Sequence, residues 1–194
     1  MRRVIQLFLS CGVLGIGVGL LLAADLGSDG YSTLINGATR ASGLPFALVN
    51  ISIGLILVLL AWLKGARPAL GTVVQPVVTG LVVGYVLDLV PAGLSLPARI
   101  GLLVIAFVIL SFGVAGYLGS RFGAGPAEAL STAWDPPVPF RWSYSAFQFA
   151  GAVAGWLLGA SIGVATVLVI VLLGPAVDLL GRRFATLSPH LRPA

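Results

Sequence analysis

The chain reads as an all-α polytopic membrane protein, with six transmembrane helices arranged as two inverted three-helix repeats. Composition is the first reason. Of 194 residues, 58% are hydrophobic and only 9% charged, and the mean hydropathy is +1.08. A soluble domain carries about 25% charged residues, so this chain cannot cover itself with a polar surface. The second reason is six apolar runs, near 4–24, 45–63, 70–90, 99–119, 142–159 and 162–180. About 20 residues rising 1.5 Å each match a hydrocarbon core about 30 Å thick. The third is internal repetition. An offset of 96 lays Leu14, Gly17, Val18, Leu22, Gly27 and Leu34 on Leu110, Gly113, Val114, Leu118, Gly123 and Leu130. An offset of 94 lays Trp62, Leu63, Gly65, Thr72, Val73, Val77 and Gly80 on Trp156, Leu157, Gly159, Thr166, Val167, Val171 and Gly174. Three spans per copy force the second copy to enter the bilayer upside down, the inverted arrangement of many secondary transporters.

The spans are helical, because lipid offers no partner for an unpaired backbone amide. Stretches such as Leu55–Leu60 and Val167–Leu173 lack the polar alternation of a barrel strand. Arg2 and Arg3 before the first run resemble a signal peptide. That run is longer than the 7–15 residues of an h-region, however, and Leu22-Ala23-Ala24 lacks a small–x–small cleavage pattern. It reads as a retained helix, with Gly15, Gly17 and Gly19 as a packing face. The second span contains Asn50 and Ser52, and the fifth Gln148, each read as an interhelical hydrogen-bonding group. The third span opens with Gly71-Thr72, and Pro76 is expected to kink it by removing a backbone donor. Thr79, Gly80 and Gly84 form a second small-residue face. Thr166 matches Thr72 at the start of the sixth span; both are read as helix-packing or site-lining residues.

One integral domain therefore covers 1–181, with repeat A at about 4–90 and repeat B at about 99–180, followed by a basic cytoplasmic tail, 182–194, read as solvated and poorly ordered. With the N-terminus inside, the inner segments hold Arg2, Arg3, Lys64, Arg67, Arg121, Arg141, Arg182, Arg183 and Arg192, against Arg40 and Arg99 outside. That bias places both termini in the cytoplasm of a cell whose inner membrane this protein crosses. The net charge of +5 is thereby assigned to topology and anionic lipid, without nucleic acid. Trp62, Trp134 and Trp142 fall beside the same inner face.

The two connections that follow the first span of each repeat, 25–44 and 121–141, are long for helix–helix links. Each is expected to hold a short helix. Ser28 is suited to cap the first, and Pro126 suits the first turn of the second, with Glu128 behind it and Asp135-Pro136-Pro137 as the stop. These helices either lie flat at the interface or dip inward as re-entrant half-helices, which irregular backbone tolerates only inside protein or around water. Paired broken segments at corresponding positions are the best sequence pointer to a transporter site. The inward placement makes Ser28, Ser32, Thr33 and Asn36, with Gly125, Glu128, Ser131 and Thr132, the candidate substrate-binding residues. Helix N-termini there would favour an anionic or strongly dipolar group, tempered by Glu128.

Asp88 and Asp178 are acids inside long apolar segments. Asp178 stands four residues before Arg182, which predicts an ion pair at the membrane edge. Asp88 has no cation in its own helix and is the candidate proton-linked acid. No metal site or cofactor is expected: Cys11 is alone and His190 has no second histidine. Phosphate-loop, His-Glu-x-x-His and Gly-x-Ser-x-Gly motifs are missing too, so the chain is not expected to be an enzyme. A small-molecule permease is the leading reading, with a non-transporting accessory or assembly protein as the alternative and a membrane-embedded enzyme third. Expected partners are the bilayer and an unknown small molecule, with a homo-oligomer left open.

Leu26-Gly27 with the Asp29–Leu34 stretch, Gly123-Ala124-Gly125-Pro126 before an acid and Leu130, Gly71-Thr72, and Gly174-Pro175 with Asp178 together resemble the YczE branch of the YczE/YyaS/YitT bacterial membrane proteins. The resemblance runs from Arg3 to about Gly181. This chain departs from the family pattern at Asp29-Gly30-Tyr31, at Glu128 where Asp is frequent, and at Ala165-Thr166. The resemblance implies a multi-pass bacterial membrane protein and no particular chemistry.

Overall fold

A computed structural model describes residues 1–123, 125–134, 137–138 and 140–187. The backbone there is helical: α1 (Arg2–Ala23), α2 (Gly30–Ser42), α3 (Phe46–Leu63), α4 (Leu70–Leu89), α5 (Leu96–Gly119), α6 (Pro126–Thr132), α7 (Phe140–Leu157) and α8 (Val164–Arg183), then a 3₁₀ turn at Ala185–Leu187. Among the described residues, α1, α3, α4, α5 and α8 are long and apolar enough to cross a membrane. The fifth expected span, α7, has 18 residues but is less apolar. Its first half carries Arg141, Ser143, Tyr144, Ser145 and Gln148, and that half lines a cavity described below.

α1 is the spine, packed along both α4 and α5. Glycine makes this possible. A Cβ on Gly17 would stand 2.6 Å from the Leu110 amide, and one on Gly113 2.5 Å from the Leu14 amide. The two backbones are thus in direct contact where Gly17 and Gly113 cross, as small residues permit. Gly15 and Gly19 do the same against Val82 and Val86. Of the expected face at Thr79, Gly80 and Gly84, Gly80 packs closely on Ala47 and Asn50 and Thr79 donates to the Cys11 carbonyl at 3.3 Å, whereas a Cβ on Gly84 would meet nothing within 4 Å.

Both short helices run alongside a long one. α2 starts against Gln148, halfway along α7, passes Gly155 at Gly37, and ends where Arg40 donates to the Gly159 carbonyl at 3.0 Å. α6 starts with Pro126 against Gly54, halfway along α3. Just beyond its end, Trp134 lies 4.5 Å under the Lys64 ammonium, a cation–π contact at the end of α3.

The connections are built alike. Asp25 (φ 49°) and Gly27 (φ 100°) turn the chain after α1; Arg121 (φ 63°) and Gly123 (φ 103°) turn it after α5. Such left-handed conformations suit glycine, and the surroundings demand it too: a Cβ on Gly27 would strike Thr166, and one on Gly123 would come within 2.6 Å of Ala69. The Ala165 amide donates to the Leu26 carbonyl at 3.0 Å, and the Gly71 amide donates to that of Phe122 at 2.7 Å. Thr72 and Thr166 accept the amides of Ala69 and Gly163 at 3.2 and 3.4 Å, closing the first turns of α4 and α8.

Asp25 gathers the two cations assigned to the outer side. Its carboxylate meets Arg99 at 3.3 Å and Arg40 at 3.7 Å, and accepts the Ser161 hydroxyl. Arg99 also donates to the carbonyls of Ala24 and Asp25.

α8 runs three residues past the expected end, and residues 185–187 pack on α5 instead of lying free. Gln6 bridges the carbonyls of Gly116 and Thr186 at 3.0 and 2.8 Å. The rest of the expected tail, 188–194 with His190, lies outside the described residues, as do Asp135-Pro136 and the side chain of Asp178.

Candidate functional site

The start of α2 is fixed by its own sequence. Asp29 is the N-cap, its Oδ2 accepting the Ser32 amide at 3.0 Å, the partner expected of a cap. Sequence reasoning gave this role to Ser28. Ser28 is buried and shares a 2.8 Å hydroxyl bond with Thr33 instead, while the Thr33 hydroxyl donates to the Ser28 carbonyl at 3.2 Å. The capping geometry also closes the α2 N-terminus with a carboxylate of its own, so the anion-attracting end expected there is already occupied.

Polar bonds hold that start against two neighbours. The Tyr31 amide donates to Gln148 Oε1 at 3.0 Å, and Gln148 Nε2 donates to the Tyr144 hydroxyl at 2.7 Å. The Tyr31 hydroxyl donates to Asn50 Oδ1 at 2.9 Å, while Asn50 Nδ2 donates to the Pro76 carbonyl at 2.6 Å. Asn50 thus joins α2, α3 and the kink-prone turn of α4.

Opposite stands the start of α6, where Pro126 occupies the first turn behind Gly125 as N-cap. Between the two starts lies a cavity of about 60 Å³, lined by Asp29, Tyr31, Ser32, Asn50, Gln75, Thr79, Tyr117, Glu128, Tyr144 and Gln148 among apolar groups from α1, α5 and α8. A larger chamber of about 330 Å³ shares Asp29, Glu128, Tyr144 and Gln148 and continues along Leu118, Val169, Ile170, Leu173 and Gly174. It occupies the space between α7 and α8, which barely touch, whereas their counterparts α3 and α4 pack closely.

The two carboxyls are partly exposed, to these cavities, and otherwise surrounded by protein. Loss of hydration raises both above the ordinary carboxylate range. Hydrogen bonds oppose the rise at Asp29, chiefly from Ser32; at Glu128 its own backbone and the Tyr117 hydroxyl oppose it, and the Asp29 charge adds to it. Among the described residues, Gln75 Oε1, on a side chain 8% exposed, finds no hydrogen-bond donor. A Cβ on Gly125 would lie 2.8 Å from Glu128 Oε2 and 3.2 Å from Gln75 Oε1, so glycine keeps this corner open.

Of the residues expected from sequence, Ser32 and Glu128 meet at one cavity, with Gly125 beside it. Ser28 and Thr33 face each other within the connection. Asn36 lies farther along α2, lining neither chamber. Ser131 is buried, its hydroxyl donating to the Ala127 carbonyl at 2.8 Å, and the side chain of Thr132 is outside the described residues. Asp88 is exposed near the end of α4 and lines neither chamber. Not expected at the site from the sequence were Asp29, Tyr31, Asn50, Gln75, Thr79, Tyr117, Tyr144 and Gln148, although Asn50 and Gln148 are read there as interhelical hydrogen-bonding groups and do bond across elements. One signal was present: under the 94-residue offset, Asn50 corresponds to Tyr144, polar on polar inside apolar spans.

Residues 1–182 match DUF6198, a family of unknown function. The chain is 28% identical to an uncharacterised protein of Haemophilus influenzae over 189 residues, 95% of this chain and 85% of that protein. It is 24% identical to the uncharacterised membrane protein YczE of Bacillus subtilis over 170 residues, 84% and 77% of the two chains. No solved structure gives a significant match.

Proposed function

We propose that this chain, a multi-pass membrane protein that belongs to the DUF6198 family, is a small-molecule secondary transporter whose site is the cavity between the starts of α2 and α6. The reading takes α7 as the sixth span, both termini as cytoplasmic and the cell's inner membrane as the location. Residues 1–89 and 96–183 are then two copies of one unit, inverted with respect to each other.

Reciprocal contacts support the inversion. Under the two offsets, Gly17 on Leu110 becomes Gly113 on Leu14, Gly54 on Pro126 becomes Gln148 on Gly30, and Gly27 beside Thr166 becomes Gly123 beside Thr72. A twofold axis generates such exchanges. α2 and α6 become half-helices that enter from opposite faces and begin mid-membrane, where irregular backbone is tolerated around a cavity.

The observation that carries the functional reading is where the cavity lies. Twelve of the eighteen residues that line it form offset-related pairs: Leu14 with Leu110, Val18 with Val114, Tyr31 with Ala127, Ser32 with Glu128, Asn50 with Tyr144, and Thr79 with Leu173. It therefore straddles the proposed axis, the position from which rocking of one half against the other exposes a site to each side in turn. An accessory protein has no need of a carboxylate-lined cavity at that point.

The test needs no substrate. In a Cys11→Ser background, Ser32→Cys should be labelled by a membrane-impermeant maleimide added to right-side-out vesicles, and also when it is added to inverted ones. Labelling from one side only, or from neither, would contradict alternating access and leave the accessory reading in place.

A further inference from the structure

Resting on the transport reading above, we infer that the site takes a small amphiphilic amine: its ammonium group sits between Asp29, Glu128 and Gln75 Oε1, and its hydrocarbon part fills the chamber between α5, α7 and α8. Charge is the first argument. Among the described residues, neither chamber is lined by Lys, Arg or His, while both are lined by Asp29 and Glu128. An anion would meet two carboxylates with no cation to offset them, which is costly at low dielectric.

The second argument is independent of charge. Among the described residues Gln75 Oε1 is a buried acceptor without a donor, and such groups are rare in native interiors unless something outside the chain completes them. It converges with Glu128 Oε2 on Gly125, where even a methyl group would be crowded. A ligand with several N–H donors satisfies that arrangement; a bare hydrocarbon or a carboxylate does not.

The shape of the larger chamber supplies the tail. Beyond the shared polar end its walls are Leu118, Val169, Ile170, Leu173 and Gly174, with Ser145 a polar side chain among them, so an alkyl or aryl group of a few carbons would meet a mainly apolar surface there. Gly174 leaves room, because a Cβ at that position would meet nothing within 4 Å.

Binding to the full-length protein in nanodiscs would be measured with hexylamine, methylamine, hexanoate and sodium, each against protein-free discs. Hexylamine should bind, hexanoate should not, and sodium should fail to displace hexylamine at equal concentration. Glu128→Gln should weaken hexylamine at least tenfold. Gly174→Leu should weaken hexylamine severalfold and leave methylamine unchanged, because only the tail is obstructed. Preference for hexanoate, displacement by sodium, or no amine binding would overturn the inference, and none of these depends on whether Glu128→Gln folds. Amine binding without two-sided labelling of Ser32→Cys would overturn the transport reading alone; two-sided labelling with hexanoate preferred would overturn the inference alone.

Discussion

Glu128 is held in a place that opposes its charge. A carboxyl raised by burial is protonated in the folded protein at pH values where the unfolded chain has already released its proton. Between the ordinary carboxylate pKa of about 4 and the raised value, the folded state therefore holds more protons, and stability falls as pH rises. Glu128→Gln removes that dependence. The variant is expected to melt at a higher temperature than the parent at neutral pH, with a flatter profile towards acid, as followed by fluorescence-detected size exclusion over a temperature series. A lower midpoint at neutral pH would assign Glu128 to the fold instead of to a ligand. Asn50 carries the opposite expectation. It satisfies Tyr31 and Pro76 at once, so Asn50→Leu leaves a buried hydroxyl unpaired and should cost about 1–3 kcal/mol, read in the same assay. Glu128 stood out in the sequence as an acid in an apolar setting beside a helix start. Asp29 did not, because a polar run such as Gly-Ser-Asp-Gly reads as an ordinary turn, and only the fold reveals which side of the cap faces a cavity. Asp88, conspicuous in a hydrophobic span, comes out exposed.

Short helices of this kind depend on close backbone contact. α2 reaches α7 through Gly30, Gly37, Gly151 and Gly155, each of which leaves no space for a side chain. Gly37→Ala is expected to push the two helices apart and to lower stability by about 1–3 kcal/mol, as overpacking does. Gly84→Ala, where a Cβ meets nothing within 4 Å, should be neutral or stabilising by up to about 1 kcal/mol through helix propensity. Thermal midpoints of the two purified variants would separate contact glycines from idle ones. Element positions were largely legible beforehand, because apolar runs and the Pro126 and Gly27 punctuation carry length and boundaries. The use made of each glycine was not. Gly17 and Gly84 look alike in sequence, and only the neighbouring backbone distinguishes them.

At the scale of the molecule, the internal offsets predict more than six helices do. They pair Asp25, which gathers Arg40 and Arg99, with Arg121 at the equivalent turn of the second copy. The offsets themselves come from Gly, Trp and Thr spacing. The position of the cavity was not legible there, because it is formed by residues separated by about half the chain. The most direct test of inversion uses the short helices themselves. In a Cys11→Ser background, single cysteines at Ser42, just at the end of α2, and at Val138, beyond α6, would be exposed to an impermeant maleimide on intact cells. Ser42→Cys should label and Val138→Cys should label only after the membrane is opened; labelling of both on intact cells, or of neither, would show that the two ends share a face and would end the inverted-repeat account.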